Sequence, residues 1–272
     1  MGKRIVITGA AGNLGRKIAS HLESRDGYDL TLLDIDPGGD PEIVSADLSR
    51  SDDSWEQHFE GVDTIVHLAA DPRMHAPWES LEKLNIDLAI NVYSAAVAKG
   101  ARRLIFASSN AAMGGYRDEK RPITHDLPTR PVNNYGVTKV VGERIGKVFS
   151  ERHGLSVICL RIGAVGTGEN RPNPDLNHWF QRMWLSNRDL CQAVEKAIDA
   201  ENVQFAVLNV MSSNTGMRWD LSETRRVLGY APRDGHVPPP ESPRRRLRAW
   251  ARRTIHTLVT CRRYHAPRGE SR

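Results

Sequence analysis

Cysteine is scarce: the 272 residues hold three, Cys159, Cys191 and Cys261, far apart and without a CxxC pair. Such a set offers neither a disulfide framework nor a thiolate metal site and suits a reducing compartment. An HExxH helix and a carboxylate-rich cluster are also lacking, so metal catalysis has no ligand set to start from. No apolar run approaches the roughly 18 residues of a membrane span. The first apolar stretch ends in glycine after a few residues, too short for a signal-peptide core, so a cytoplasmic location is expected. Lysine is absent from Pro243 onward, where ten arginines face one acid, Glu270; that segment carries +9, and the chain's +5 leaves −4 for the rest. The body is mildly acidic, and no nucleic-acid partner is expected of it.

What is present reads as an ordinary globular chain, with 39% hydrophobic and 26% charged residues, a balance that excludes disorder throughout. Apolar β-branched runs at 4–8, 30–33, 42–46, 63–68, 103–108 and 156–161 alternate with helical patterns, the mark of βαβ units and a parallel sheet buried on both faces. Leu14, Ile18 and Leu22, and then Leu84, Leu88, Val92 and Ala96, recur every four residues as stripes that would cover that sheet. Ser186 with Asp189 predicts a helix start, and Asp220 with Glu223 predicts another that Gly229 should stop. The expected fold is α/β: a Rossmann-type doubly wound parallel sheet with helices on both faces and a small C-terminal substrate annex. Residues 1–232 would form this domain, with the annex at about 164–185 and 205–232, followed by a Pro/Arg-rich tail over 233–272.

The first strand runs directly into Thr8-Gly9-Ala10-Ala11-Gly12-Asn13-Leu14-Gly15 and then a helix. Between a strand and a helix, Gly9 allows a tight turn, Gly12 lets backbone approach a pyrophosphate, and Gly15 lets helix and strand pack closely, with the helix N-terminus facing the phosphate charge. Asp34, followed by Ile35 at the end of the second strand, lies 19 residues beyond Gly15, where an acid accepts hydrogen bonds from the adenosine ribose. A carboxylate there repels a 2′-phosphate, which favours NAD over NADP; Arg16 and Lys17 nearby temper that preference, and Asp36 is the alternative acid. Tyr135 and Lys139, four apart on a helical pattern, place phenol and ammonium on one face. A neighbouring cation favours the phenolate of a group whose free pKa is near 10. Ser109 ends the fifth strand, where ligands of parallel sheets sit, so it can hold the reacting oxygen while Tyr135 exchanges its proton.

Together with Asp47-Leu48, His67-Leu68-Ala69-Ala70, Asn85, FASSN at 106–110 and Leu160-Arg161-Ile162-Gly163, these motifs resemble the extended branch of the short-chain dehydrogenase/reductases, the NAD-dependent epimerase/dehydratase family, over about residues 3–232. The resemblance implies that Leu68, Ala69 and Ala70 pass along the cofactor, that Asp47 with Leu48 meets the adenine, and that Asn13, Leu14, Asn85 and Ile162 join the cofactor site. Within the branch the likeness is greatest to uronate dehydrogenases, which oxidise C1 of a hexuronic acid with NAD. Nucleotide-sugar epimerases generally carry a larger C-terminal domain than 163–229 provides. Two departures fall at substrate positions: Ala111-Ala112 and Ala164 stand where uronate dehydrogenases have a histidine and a serine. Arg171 or Arg182 is the candidate for a substrate carboxylate, and Asn110 and His75 for sugar hydroxyls; His67, inside a strand, reads as structural.

Three functions fit this pattern: an NAD-dependent sugar or uronate dehydrogenase, an epimerase, dehydratase or ketone reductase using the same three residues, and a dinucleotide-binding sensor. The intact proton-exchange group weighs against the sensor. The expected partners are a small sugar or sugar acid and further copies of the chain in a homo-oligomer, a dimer or larger. In the tail, Leu247, Trp250, Ala251, Thr254, Ile255, Leu258 and Val259 follow helical spacing among arginines. Such a basic amphipathic helix can dock on its own body or a second subunit, contact an anionic surface, or stay mobile. Truncation before Pro238 is expected to leave turnover intact if the tail is peripheral; a monomeric, inactive product in a sizing and activity assay would instead show that it builds the oligomer.

Overall fold

The computed structural model describes residues 2–50 and 54–240. The apolar runs become a seven-stranded parallel sheet: β1 Lys3–Thr8, β2 Tyr28–Asp34, β3 Ile43–Ser45, β4 Thr64–His67, β5 Arg103–Ser109, β6 Ser156–Ile162 and β7 Phe205–Val210, in the order β3-β2-β1-β4-β5-β6-β7. Helices α1 Asn13–Glu23, α2 Trp78–Leu81, α3 Leu88–Ala98, α4 Asn134–His153, α5 His178–Arg182, α6 Asn187–Asp199 and α7 Ser222–Leu228 follow the strands. Since side chains alternate across a strand, continuous apolar runs supply two faces at once. On β5, Ile105 and Ala107 join the cluster that holds Ile18 and Leu22 of α1 and Leu190 and Val194 of α6. Leu104 and Phe106 join the opposite one, with Val92, Tyr93 and Ala96 of α3 and with Trp55 and Phe59 of a 3-10 helix at Ser54–Phe59.

The position of α4 matters most for the site, and two contacts set it. Gly142 lies so close to the sheet that a Cβ there would come within 2.2 Å of the Phe106 ring. One residue on, the buried Glu143 carboxylate accepts from both Arg161 Nε (2.8 Å) and a terminal Arg161 nitrogen (2.9 Å) on β6, and from Ser108 Oγ (2.6 Å) on β5. The helix is thereby tied to two adjacent strands just below the residues expected to react. Its start is capped by Asn133, whose side-chain oxygen accepts from the Gly136 N–H at 2.7 Å.

Three boundaries differ from expectation. The stretch 205–210, assigned to the annex, is instead β7, hydrogen-bonded in register to β6 from Val157 to Ile162. The last helix begins at Ser222 rather than Asp220, because the Asp220 carboxylate accepts from the Ser222 N–H at 2.6 Å in a turn that precedes it; Gly229, at φ 61°, ends it as expected. Residues 233–237, assigned to the tail, belong to the compact unit that extends to Val237. Asp189 accepts from the Arg233 and Asp234 N–H groups (2.7 and 3.1 Å), and Asp234 and His236 carbonyls accept from Ser213 and Thr215. The Ser186 start of α6 stands, its hydroxyl accepting from the Asp189 N–H at 3.0 Å. The amphipathic pattern over 247–259 lies outside the described residues. Among those described, no helix is long and apolar enough to cross a membrane.

The Glu143–Arg161 pair is 5% and 4% exposed at the side chains, so removing one partner strands a buried charge. Arg161→Ala is expected to cost about 3–5 kcal/mol in denaturant unfolding, and a loss below about 1 kcal/mol would place the pair with solvent-screened surface bridges.

Candidate active site

The strand order reverses between β1 and β4, and at the carboxyl ends of these strands opens a cavity of about 730 Å³, the place where open parallel sheets bind ligands. Its floor is the glycine loop. Gly9 turns at φ 72°, and a Cβ on Gly15 would stand 2.2 Å from the Gly9 carbonyl oxygen, so only glycine lets α1 start this close to β1. Gly12 caps α1 in extended conformation with no side-chain acceptor, and the first turn holds no acid. The helix therefore offers its leading N–H groups and the positive end of its dipole to an anion.

One end of the cavity is acidic. Asp34 closes β2 with Oδ2 accepting from the Ala11 N–H at 2.9 Å and Oδ1 from the Asp36 N–H at 3.2 Å; Ile35 beside it is exposed. Asp36, the alternative acid, also lines the cavity but accepts from the Gly38 N–H at 3.0 Å. Asp47 is held by Ser49, whose hydroxyl and N–H donate to Oδ1 at 2.7 and 3.1 Å, and Leu48 is buried next to it. Along the middle run Asn13 and Leu14 on one side and Leu68, Ala69 and Ala70 on the other. His67 stays behind this wall, buried, its Nδ1 2.7 Å from Thr8 Oγ1; burial drives its pKa down to about 3, so the ring is neutral and structural.

At the far end Ser109, Asn110, Tyr135, Lys139 and Ile162 converge on the cavity. Ser109 Oγ accepts from the Ala111 N–H at 3.1 Å, capping the 3-10 helix Asn110–Tyr116 and leaving its own proton to donate. The Asn110 amide nitrogen donates to the Ile162 carbonyl at 3.0 Å, which turns its oxygen free for other partners. Desolvation pushes the Tyr135 phenol up to about 12; a hydrogen bond with Ser109 pulls it down and the Asp71 carboxylate pushes it up. Lys139 is 4% exposed, its ammonium 5.5 Å from the Tyr135 ring centre and 5.2 Å from that of Phe106, and desolvation lowers its pKa to about 8. A neutral phenol, an adjacent ammonium and a hydroxyl donor are thus assembled where a bound alcohol could exchange a proton.

Four expected site residues lie outside the cavity lining. Asn85 is buried and turned to the Asp71 backbone, accepting from its N–H (2.7 Å) and donating to its carbonyl (3.1 Å). It lies in the π-helical turn Glu82–Asp87, while Leu84 and Leu88 line the cavity. His75 is exposed. Arg171 is 85% exposed at its side chain and paired with Glu169 at 2.7 Å. Arg182, at the end of α5, lies against Gly216, to whose added Cβ its Nε would be 3.1 Å away.

Other contacts enter that sequence reasoning did not assign. Asn13, expected at the cofactor site, and Lys17 reach across to the loop after β6, donating to the Gly166 carbonyl. Asn170, at φ 54°, fastens that loop through a 2.6 Å bond from the Gly166 N–H and one of 2.6 Å to the Leu185 carbonyl. Met74, Leu176, Phe180 and Met183 form an apolar wall of the cavity. An asparagine with left-handed tolerance is a weak sequence signal for Asn170; the apolar wall had none, since its members come from two separate segments.

Comparison with known proteins agrees with this architecture. Residues 5–188 match the model of the NAD dependent epimerase/dehydratase family. The chain is 36% identical over 259 residues to an L-arabinose 1-dehydrogenase (NAD(P)(+)) of Haloferax volcanii, covering 85% of this chain and 96% of that one. It is 35% identical over 240 residues to a uronate dehydrogenase of Pseudomonas putida, with 85% and 84% covered. A solved structure of a uronate dehydrogenase variant from Agrobacterium tumefaciens, complexed with NAD, superposes with a TM-score of 0.75 at 30% identity, covering 89% and 92%.

Burial of an ammonium works against folding, and the sign of the Lys139 shift sets its pH dependence. Below pH 8 the lysine is charged in both states and the full penalty applies; between about 8 and 10.5 the folded state releases its proton first, so the penalty fades as pH rises. Lys139→Met is therefore expected to raise stability at pH 7 by up to about 3 kcal/mol, with the advantage shrinking by pH 9.5. Denaturant unfolding at the two pH values checks this, and an advantage independent of pH would contradict it.

Proposed function

The chain belongs to the NAD dependent epimerase/dehydratase family, and we propose that within it the protein is an NAD-dependent dehydrogenase that oxidises a sugar at its C1 hydroxyl. The observation that carries this reading is the meeting of Ser109, Tyr135 and Lys139 at one end of a cavity whose other end is the glycine loop and Asp34. That layout fits a dinucleotide on this chain's own terms: Gly15 clears the approach, the α1 N-terminus is open to the pyrophosphate, and Asp34 can accept from the adenosine ribose. Leu14, Asp47, Leu48 and the Leu68–Ala70 segment would bound it on either side. When bound, NAD supplies the hydride acceptor.

The chain's residues supply the rest. Ser109 holds the substrate oxygen by donating its hydroxyl proton, the one donor left after its Oγ has accepted from Ala111. Tyr135 takes the proton of the C1 hydroxyl as the C1–H hydride departs and the carbonyl of the lactone forms, so one hydride and one proton leave the sugar. To take that proton Tyr135 must be a phenolate, which burial opposes; the adjacent Lys139 ammonium and the oxidised nicotinamide, when bound, would supply the positive charge that favours it. The similarity to an L-arabinose 1-dehydrogenase supports this assignment of an aldose C1, and that to a uronate dehydrogenase supports oxidation of a sugar derivative.

Incubation with NAD and aldoses is expected to give stoichiometric reduced cofactor at 340 nm (about one per sugar oxidised); an epimerase, which returns its hydride, would give none. Tyr135→Phe is expected to lower kcat by about 10²–10⁴-fold while NAD affinity by calorimetry is retained. Undiminished turnover would remove Tyr135 from the chemistry.

A further inference from the structure

The substrate end of the cavity carries a second message, in its charge. Among the described residues lining the cavity the sole cation is Lys139, and the three acids, Asp34, Asp36 and Asp47, are all at the opposite end. Beyond Ser109 and Asn110 the wall is hydrocarbon: Met74 after β4, and Leu176, Phe180 and Met183 around α5. This wall is one side of a packed cluster. Met183 is buried with Met113, Met211 and Trp219, and Phe180 packs against the same group, so the surface is held in place from behind.

None of the described guanidinium groups around this end belongs to the cavity lining: Arg182, next to Met183, lies against Gly216 with its Nε buried and unpartnered, and three others are engaged. Arg73 is bound to Asp71 (2.9 and 2.6 Å). Arg171 points to solvent with Glu169. Arg218 stacks 5.4 Å from the Trp179 ring centre and donates to the Tyr116 and Arg117 carbonyls. A sugar carboxylate or phosphate placed against this wall would lose water and meet no cation of the cavity lining. The hydroxyls of a neutral sugar would meet Ser109 and the free Asn110 oxygen, and its C–H faces would lie on Phe180 and the methionines.

We propose that the sugar oxidised here is a neutral aldose whose end remote from C1 is unsubstituted or a methyl group, a pentose or 6-deoxyhexose, in preference to a uronate or a sugar phosphate. This rests on the dehydrogenase reading above and narrows it. It also gives two of the departures from the uronate dehydrogenase pattern a common place: Ala112 is buried in the cluster behind the wall, and Ala164 packs against that cluster and lines the cavity.

The test compares L-arabinose, D-xylose and L-fucose with D-galacturonate, D-glucuronate and glucose 6-phosphate on the full-length protein. The neutral sugars are expected to show kcat/KM on the order of 100-fold higher. Leu176 is 42% exposed and tolerates exchange; Leu176→Arg is expected to narrow the neutral-to-acid ratio by about tenfold. Acid sugars used as well as or better than neutral ones, or a ratio unmoved by Leu176→Arg, overturn the inference. Calorimetric titration of the NAD-loaded protein reads the same preference without turnover. Neutral-sugar binding with no net cofactor reduction overturns the dehydrogenase reading alone, whereas acid-sugar preference with reduced cofactor formed overturns this inference alone.

Discussion

The site depends on keeping an ammonium charged where charge is unwelcome. Lys139 sits among Phe106 and Tyr135 rings with desolvation acting on it and no compensating carboxylate among the causes of its shift. Such a group survives only on a scaffold that cannot relax around it, and α4 is fixed accordingly. Glycine brings it against Phe106, and a buried carboxylate one turn beyond the lysine binds two strands at once. The buried Lys139 charge and the Glu143 tie to β5 and β6 thus lie four residues apart, along a single turn of helix.

The parts of this arrangement that sequence disclosed were those written in local spacing. The glycine loop, Asp34, Ser109 and the Tyr135–Lys139 interval each sit within one strand, turn or helix, and the chain presents them to one cavity. Asn85 shows where that reasoning stops. Its place in the cofactor site came from the family resemblance alone, and in the structure it lies in the π-helical turn Glu82–Asp87, bonded to the backbone of Asp71. The strand at Phe205–Val210 carries the same apolar signal as its neighbours; placing it in an annex hid its pairing with β6, a contact between segments roughly fifty residues apart in sequence. The substrate wall was invisible for a related reason, because its residues acquire a common surface only after α5 packs onto the Met211 and Trp219 cluster.

Charge is distributed along the cavity with a consequence for selectivity. The acids lie where a ribose would be read, the helix N-terminus where phosphate would rest, and the lone lysine beside the tyrosine. Each charged or dipolar group thus has a use before any substrate arrives. On the proposed reading, discrimination among sugars rests on hydrocarbon and on two polar side chains, Ser109 and Asn110, so that the site rejects by desolvation more than it attracts by pairing.

The strand order has a meaning for synthesis as well. In β3-β2-β1-β4-β5-β6-β7 every strand, as it leaves the ribosome, finds the edge it pairs with already made: β2 meets β1, β3 meets β2, β4 returns to the other side of β1, and each later strand adds to the one before. Parallel sheets are slow to assemble because their partners are distant in sequence, yet here no strand has to wait unpaired for one still untranslated. Nascent chains of this topology can grow vectorially from β1, and the loop after β6 that meets Lys17 arrives late, when the nucleotide floor beneath it is already in place.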